Sequence, residues 1–304
     1  MLKRSLLIAT ISASILLSAA PSAFSETKSG ELINSNAVLW KLEKEGSIKN
    51  YLFGTMHVPD RAVVRLPAEV RKALDGSSRA AFEIINEMKP SIRGSSPSLL
   101  NDGRSLKEIL DPELYNEVVT MAKEVDGTES QVFRMKPWAA ALLVGGTREQ
   151  RALLKAGRPR LDDYLMQEAM RIGMELYPLE RPGERVYGWD FIPEEDQIKL
   201  LKYSVANYKN AEERAQKMVQ MYVDRDVTGI VKDTREVFAV MGEESAELIW
   251  QEFLVKRNIR MVDAAVPLMD GGGVFIAVGL AHLPGEGGMV QLFEQEGFTV
   301  TPVY

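Results

Sequence analysis

The chain has 304 residues, of which 45% are hydrophobic and 26% are charged, and its formal net charge is −6 at pH 7. This balance is ordinary for a globular protein with a large core, and the negative charge argues against a nucleic-acid partner, which needs a basic surface. The sequence has no cysteine, which excludes disulfides, cysteine-ligated zinc and a thiol nucleophile.

The amino-terminal residues 1–25 predict a secretory signal peptide. The positive pair Lys3-Arg4 precedes an apolar run from Leu6 to Ala20, and Ala23-Phe24-Ser25 offers the small residues that a signal peptidase accepts. A membrane anchor is the alternative, but the run is shorter than the roughly 20 residues of a membrane span. We expect a periplasmic or secreted protein with no membrane span after cleavage, and a single domain over residues 26–304.

The first part of the mature chain predicts part of a sheet. Strand-like runs over 37–42 and 49–53 flank a charged turn, which indicates a β-hairpin. Pro67 begins a helix that ends near Gly76, and the mostly apolar run 80–85 predicts a third strand. Because strand, helix and strand follow one another, we expect a β-α-β crossover.

The middle of the chain is mainly helical in pattern. Asp111-Pro112 predicts a helix start, Pro137 begins a helix that ends at Gly145-Gly146, and the run 162–172 is amphipathic. A short strand is predicted over 175–179, and 194–266 has the pattern of three or four helices.

The carboxyl-terminal part returns to strands. Runs over 273–278 and 298–303 predict strands, and between them lie a Gly-rich turn and a helix over 289–296. We therefore predict an α+β fold in which a mixed β-sheet is flanked by helices. Its strands lie at both chain ends and meet in one sheet, while the middle and much of the carboxyl-terminal half are helical.

Two segments combine an apolar strand, a glycine, two further residues and a histidine. They end in His57 and His282, the only two histidines of the chain, with Gly54 and Gly279 three positions earlier. A glycine at a strand end permits a sharp turn or a close backbone approach, and ligand crevices of α/β sheets form at the carboxyl ends of strands. If the strands are neighbours, the two imidazoles can bind a divalent metal or exchange protons at one site.

Carboxylates are the natural third ligand or general base of such a site. Glu83 directly follows an apolar run and would complete a two-histidine, one-carboxylate site, whereas a surface glutamate on an edge strand is the alternative. Glu180 is a weaker candidate for the same reasons. Asn258 lies on the apolar face of a predicted helix, so it either makes an ordinary buried hydrogen bond or supports the site together with Arg257. The Gly-rich turn at 284–288 is expected to help position the second histidine.

Several of these segments resemble the TraB/GumN family, the bacterial relatives of the Tiki metalloproteases. The resemblance is carried by Leu52 to Pro59, Phe82-Glu83, Lys136-Pro137-Trp138, Leu161 to Leu165, Leu179-Glu180, Lys256-Arg257-Asn258, Ala277 to Gly285 and Gly297 to Tyr304. The chain departs from the family at Glu180, because Arg181-Pro182 follows it in place of the usual small hydroxyl residue. That departure argues against a functional role for Glu180.

The resemblance implies a fold similar to the erythromycin-esterase and ChaN-like group, and a divalent-metal protease. His57 and His282 would bind the metal, and Glu83 would be a ligand or the general base that activates the attacking water. Arg257 and Asn258 would support the site. Zn, Mn, Co or Fe suits two imidazoles and one carboxylate.

Three functions remain compatible with the sequence. A metal-dependent peptidase or related hydrolase of the bacterial envelope, acting on a peptide or a small-molecule substrate, is favoured. A metal-free hydrolase of esterase type, in which a histidine is the general base, is the second, and a non-catalytic protein that binds a peptide or another ligand is the third. No pattern in the sequence indicates the oligomeric state.

Overall fold

The computed structural model describes residues 36–44, 48–85, 96–181 and 187–304. The predicted signal peptide, residues 1–25, lies outside these ranges. Within them, none of the helices is both long enough and apolar enough to cross a membrane.

Strands from both ends of the described chain form one mixed sheet in the order β4-β3-β5-β2-β1-β6. Their bounds are β1 Leu39–Glu43, β2 Asn50–Thr55, β3 Arg79–Phe82, β4 Glu175–Pro178, β5 Val274–Gly279 and β6 Thr299–Pro302. The first four strands in that order are parallel, and β1 is antiparallel to both of its neighbours. The predicted α+β fold with a mixed sheet is confirmed.

The predicted hairpin forms between β1 and β2. The next strand, β3, is parallel to β2 as a crossover requires, but β5 lies between them and pairs with both. Every residue of β5 is buried, as expected for a parallel strand covered on both faces. The third strand ends at Phe82 and is shorter than the predicted run to Ile85, which leaves Glu83 immediately beyond the strand.

Helices cover the sheet and extend into a second, helical layer. Before β4 their bounds are α1 Arg61–Val64, α2 Ala68–Asp75, α3 Leu106–Ile109, α4 Pro112–Glu124, α5 Glu129–Arg134, α6 Pro137–Gly145, α7 Arg148–Lys155 and α8 Leu161–Arg171. After β4 they are α9 Glu194–Ala206, α10 Ala211–Val223, α11 Val227–Ala239, α12 Glu243–Trp250, α13 Lys256–Met269 and α14 Met289–Gln295.

Two hydrophobic clusters hold the described residues together. One surrounds the sheet and includes α8, α13 and α14. The other lies among α3 to α6, α9, α11 and α12, where the Trp138 and Trp189 rings stack with centroids 5.7 Å apart. The helical middle of the chain therefore has its own core beside the sheet.

The region 194–266 contains four complete helices and most of a fifth, which exceeds the predicted three or four. Gly242, at φ 104°, separates α11 from α12. No comparable break separates α12 from α13, because the π-helical segment Gln251–Val255 joins them. A sequence pattern that stays helical through this segment does not show where one helix ends and the next begins.

Candidate active site at the rim of the sheet

The two Gly-x-x-His segments follow neighbouring parallel strands and leave the same edge of the sheet. Their glycines are required for close packing and not for a sharp turn, because neither Gly54 nor Gly279 has a positive φ. A Cβ atom on Gly279 would lie 3.2 Å from His57 Nε2 and 3.3 Å from Glu83 Oε1. A Cβ atom on Gly54 would lie 2.5 Å from Leu280 Cδ1. One glycine therefore leaves space for the polar groups of the site, and the other lets the second segment pack against the first.

The Glu83 carboxylate is the point on which both imidazoles converge. Its Oε1 atom is 3.6 Å from His57 Nε2 and 4.0 Å from His282 Nε2. The same oxygen accepts a hydrogen bond from the backbone N–H of Gly279 at 2.7 Å. The structure thus brings together the three residues that were predicted as metal ligands, while their role remains a prediction.

Each imidazole is oriented by an oxygen acceptor at its other ring nitrogen. His57 Nδ1 is 2.6 Å from Asp162 Oδ2, and Thr55 donates to the second Asp162 oxygen at 2.5 Å. His282 Nδ1 is 2.6 Å from Asn258 Oδ1. An oxygen acceptor requires a hydrogen on Nδ1, so the Nε2 atoms are the ones that face Glu83.

Arg257 connects the acid of the site to a second buried acid. It donates from Nε and Nη2 to the two oxygens of Glu180 at 2.7 and 2.6 Å, and from Nη2 to Glu83 Oε2 at 2.8 Å. Its Nη1 atom lies 3.3 Å from His282 Nε2. We refer to His57, Glu83, Glu180, Arg257 and His282 as the rim cluster; all of them except His57 are buried.

Asn258 joins the second histidine to the turn that follows it. While its Oδ1 atom faces the His282 ring, its amide nitrogen donates to the Gly287 carbonyl at 2.7 Å. The predicted positioning of His282 by the turn at 284–288 therefore acts through the Asn258 side chain. Both polar ends of this buried amide are satisfied, as burial requires.

Electrostatics couple the exposed imidazole to its two acids. Partial burial alone would lower the pKa of His57, but its hydrogen bond to Asp162 and the nearby carboxylates of Asp162 and Glu83 raise it to about 10. Burial alone would raise the pKa of Glu83, but the close approach of His57 and the charges of His282, His57 and Arg257 hold it well below its usual range. The position occupied by the His57 ring therefore favours a positive charge.

The sequence pattern gave too little weight to one residue of the rim cluster, Glu180, and did not indicate the contacts of two residues beside it, Asp162 and Tyr222. Glu180 was discounted because of the residues after it, yet its side chain is fully buried against Arg257. Asp162 was identified only as part of an amphipathic helix and a family landmark, and its position near the start of α8 places it on His57. Tyr222 of α10 donates to the Gly54 carbonyl at 2.8 Å, and nothing in the sequence indicated that contact.

A metal site is not preassembled at the rim. Among the described residues, no group of three or more His, Asp or Glu side chains is arranged closely enough to hold a metal ion as it stands. The donor atoms of the predicted ligands approach one another but do not surround a common point at bonding distance.

Comparisons with known proteins agree with this architecture. The model of the TraB/PrgY/gumN family matches residues 38–302. Metalloprotease TIKI2 of Danio rerio is 22% identical over an alignment of 314 positions, which covers 87% of this chain and 60% of the relative. Metalloprotease TIKI1 of Danio rerio is 23% identical, with 87% and 63% covered, and Metalloprotease TIKI1 of Homo sapiens is 22% identical, with 87% and 61% covered.

These similarities have a defined extent. The chain spans about three fifths of the length of the curated relatives it matches. No solved structure is significantly similar to it. The family match extends from β1 to β6 and includes both Gly-x-x-His segments. The chain belongs to the TraB/PrgY/gumN family.

Proposed function

We propose that this chain is a divalent-metal-dependent peptidase, or a related hydrolase, of the bacterial cell envelope, with the metal held by His57, His282 and Glu83. One observation carries the proposal: both imidazole Nε2 atoms face a single carboxylate oxygen while both Nδ1 atoms are bound by oxygen acceptors. Ligating histidines are oriented in this way by second partners in many metal sites. The name metalloprotease, which the relatives carry, supports the same chemistry.

The donor atoms of the three proposed ligands would have to move closer together to hold a metal. Zinc-like ions bind imidazole nitrogen at about 2.0–2.1 Å, so two donors of a tetrahedral site lie roughly 3.4 Å apart. The distances of 3.6 and 4.0 Å from Glu83 Oε1 to the two Nε2 atoms exceed this by a few tenths of an ångström. A positive charge is already favoured beside Asp162 and Glu83, where His57 has a raised pKa. A divalent cation bound at this position would be stabilised by the same two carboxylates.

The protein groups have separate tasks in this proposal. A bound metal would supply a Lewis acid that activates water or polarises a peptide carbonyl. Arg257 holds Glu83 Oε2, which directs Oε1 toward the imidazoles and favours the ligand role of Glu83 over that of general base. Arg257 is itself buried and bonded to Glu180, so it positions the site. His57, with 42% of its side chain exposed, marks the face from which substrate reaches the site.

The deciding experiment measures metal content. Purified protein beginning at Glu26 should bind about one divalent metal per chain, and His57→Ala and His282→Ala should both lose it while retaining the native circular dichroism spectrum. Glu69→Gln, an exposed glutamate on α2, is the matched control for Glu83→Gln and should keep the metal. Failure of the wild type to bind any divalent metal under all loading conditions would refute the proposal.

Activity is then tested with a peptide library. Cleavage should stop in chelator, return when the metal is restored, and be lost in Glu83→Gln but not in Glu69→Gln. A protein that binds metal and peptides but shows no turnover would instead be a binding protein.

A metal-free hydrolase is the second candidate, and one contact favours it. Asp162 lies 2.6 Å from Nδ1 of the partly exposed His57, which is the arrangement of an imidazole general base held by a carboxylate. Because the pKa of His57 is raised to about 10, this base would be unprotonated, and the enzyme active, only at alkaline pH. This enzyme would keep its activity in chelator and lose it in Asp162→Asn. Persistence of activity without metal therefore separates the two candidates.

Export to the envelope rests on the amino-terminal sequence. The positive start, the apolar run and Ala23-Phe24-Ser25 support cleavage before Glu26. Amino-terminal sequencing of the protein recovered from a periplasmic extract should begin at Glu26. Recovery of an uncleaved chain in the membrane fraction would support the anchor instead.

A further inference from the structure

An apolar cavity of about 470 Å³ lies beside the first Gly-x-x-His segment. Met56 and Val58, the neighbours of His57 in the chain, both line it. His57 is also the exposed imidazole of the rim cluster, whereas the His282 side chain is only 5% exposed. No residue of the rim cluster itself lines the cavity, which lies beside the stretch of backbone that carries the exposed imidazole.

The opposite walls of this cavity come from the helical layer. Leu142 of α6, Met218 of α10, and Val237 and Phe238 of α11 supply apolar surface. Its volume falls within the roughly 300–1,000 Å³ of cavities that bind small ligands, and such cavities are lined mainly by apolar side chains. Sheet and helices thus form a recess that can take a large side chain.

The charged residues of the lining compensate each other. Arg214 and Asp233 are the charged side chains among the described lining residues, and they approach to 3.8 Å. A charged ligand group that leaves water needs an opposite charge. This lining offers no net charge to a charged guest, so it selects an apolar one.

A larger cavity, of about 590 Å³, provides a contrast. It shares Gly146, Thr147 and Ala211 with the apolar cavity, but its lining includes no neighbour of His57. Its acidic lining residues are Glu113, Glu117, Glu124 and Glu212. Volume alone would favour this acidic cavity as the substrate-binding cavity, whereas the smaller cavity is favoured because it is lined by the chain neighbours of His57.

We infer that the apolar cavity binds a large apolar side chain of a peptide substrate, next to the bond that the rim cluster attacks. This inference names the substrate class of the proposed peptidase and rests on that function for its biological meaning. Binding of the side chain itself needs neither metal nor turnover, so it can be tested separately.

The probes are N-acetyl amino-acid amides with Leu, Phe, Lys or Glu side chains, titrated into the full protein labelled with ¹³C at its methionine methyl groups. The Leu and Phe amides should shift the Met56 and Met218 signals at least tenfold more strongly than the Lys and Glu amides. Met170, an exposed methionine of α8 outside the lining, should not respond. Leu142→Asp should weaken binding of the Phe amide about tenfold, because Leu142 is 52% exposed and tolerates a charge without unfolding. Met170→Asp is the matched control and should bind the amide like the wild type.

The outcomes separate this inference from the proposed function. If His57→Ala loses metal but still binds the Phe amide, the cavity is independent of the metal, as we expect. A protein that binds no metal yet binds the Phe amide refutes the metallopeptidase and leaves the cavity in place. Equal binding of all four amides, no shift at Met56 and Met218, or a change of oligomeric state in Leu142→Asp that shows a second copy covering the cavity would overturn the inference.

Discussion

The buried polar and charged groups of the rim cluster and of the helical layer find their partners in different ways. In the helical layer, Asp196 accepts hydrogen bonds from Lys199 at 2.5 Å and from Ser245 at 2.6 Å, and Gln197 donates to nearby backbone carbonyls. These contacts are mostly local, and Lys199 reaches solvent. They provide hydrogen-bond partners for the buried polar side chains of these helices, and no function is needed to explain them.

The rim cluster instead gathers its charges from distant parts of the chain. His57, Glu83, Glu180, Arg257 and His282 each follow or belong to a different element, and all but His57 are buried. Buried ion pairs seldom stabilise a protein more than a well-packed apolar group would. A buried ionic network of this kind is therefore best understood as a site, and five substitutions test this contrast.

The largest expected effect is that of Arg257→Met. The change removes the guanidinium from which both Glu83 and Glu180 accept hydrogen bonds, and loss of one member of a buried ionic group costs about 3–5 kcal/mol. Urea unfolding should show a decrease of that size in the free energy of unfolding. Arg260→Met changes an exposed residue of the same helix and should alter stability by no more than about 0.5 kcal/mol. Equal effects of the two substitutions would contradict the contrast.

Asp162→Asn should weaken metal binding about 10- to 100-fold, the usual effect of removing the partner of a ligating histidine. The change keeps the size of the side chain but removes the charge that faces His57 Nδ1 at 2.6 Å. Competition with a chelator of known affinity measures the loss. Asp75→Asn, at an exposed position on α2, serves as the control. Unchanged affinity in Asp162→Asn would mean that His57 is not a ligand oriented by this acid.

The two motif glycines should respond differently to alanine. At Gly54 the new methyl group would lie 2.5 Å from Leu280 Cδ1 and 3.1 Å from Leu280 Cα, and such overpacking costs about 1–3 kcal/mol. At Gly279 the contacts are looser, and the backbone at φ −55° and ψ 137° suits alanine. Thermal and urea unfolding of both variants should show the larger loss for Gly54→Ala.

Metal binding should show the reverse order for the same pair. The methyl group of Gly279→Ala enters the space between His57 Nε2 and Glu83 Oε1, so its metal affinity should decrease more than that of Gly54→Ala. If both variants lose stability and metal affinity in the same proportion, the two glycines do not have the separate roles described above.

The smallest expected effect is that of Asp196→Asn in the helical layer. Hydrogen bonds from Lys199 and Ser245 lower the pKa of Asp196 below its usual value, so its ionised form stabilises the fold at neutral pH. Because the folded-state pKa is the lower one, this contribution is complete above the unfolded pKa of about 4 and disappears as the pH falls through the folded value. Asp196→Asn should therefore cost on the order of 1 kcal/mol at pH 7 and progressively less below pH 4. A difference from the wild type that stays constant with pH would disprove this role of the carboxylate.

The sequence predicted much of the sheet because buried strands leave a direct pattern. The apolar runs that became β2 and β5 have few polar residues, and glycines mark their ends. The sequence could not show that β5 inserts between β2 and β3, since strand order depends on packing between distant segments. The short helices α1 and α7 also escaped prediction, because so few residues show little periodicity. The equally short α2 and α14 were predicted, because Pro67 and the Gly-rich turn mark where they begin.

The candidate site was predictable to the extent that its residues stand at strand ends. His57, His282 and Glu83 each lie just beyond a strand or its terminal glycine, where a simple rule places ligand crevices. Asp162 lies near the start of an amphipathic helix, and only the packing of α8 against the sheet brings it to His57. Glu180 was undervalued because residues next to it in sequence were used to judge a side chain whose environment is set by Arg257, which lies 77 positions away.

The π-helical segment Gln251–Val255 has a consequence for how this site is encoded. A π turn accommodates one residue more than an α turn, and each residue of an α-helix advances by about 100° around the axis. Deleting any single residue of the segment would restore regular α-helix and rotate all of α13 relative to α12. Arg257 and Asn258 would then point away from Glu83 and His282, although neither residue had been changed. The site thus depends on a count of residues as well as on their identities, and an aligned relative that retains both side chains but lacks this extra residue would not be expected to share it.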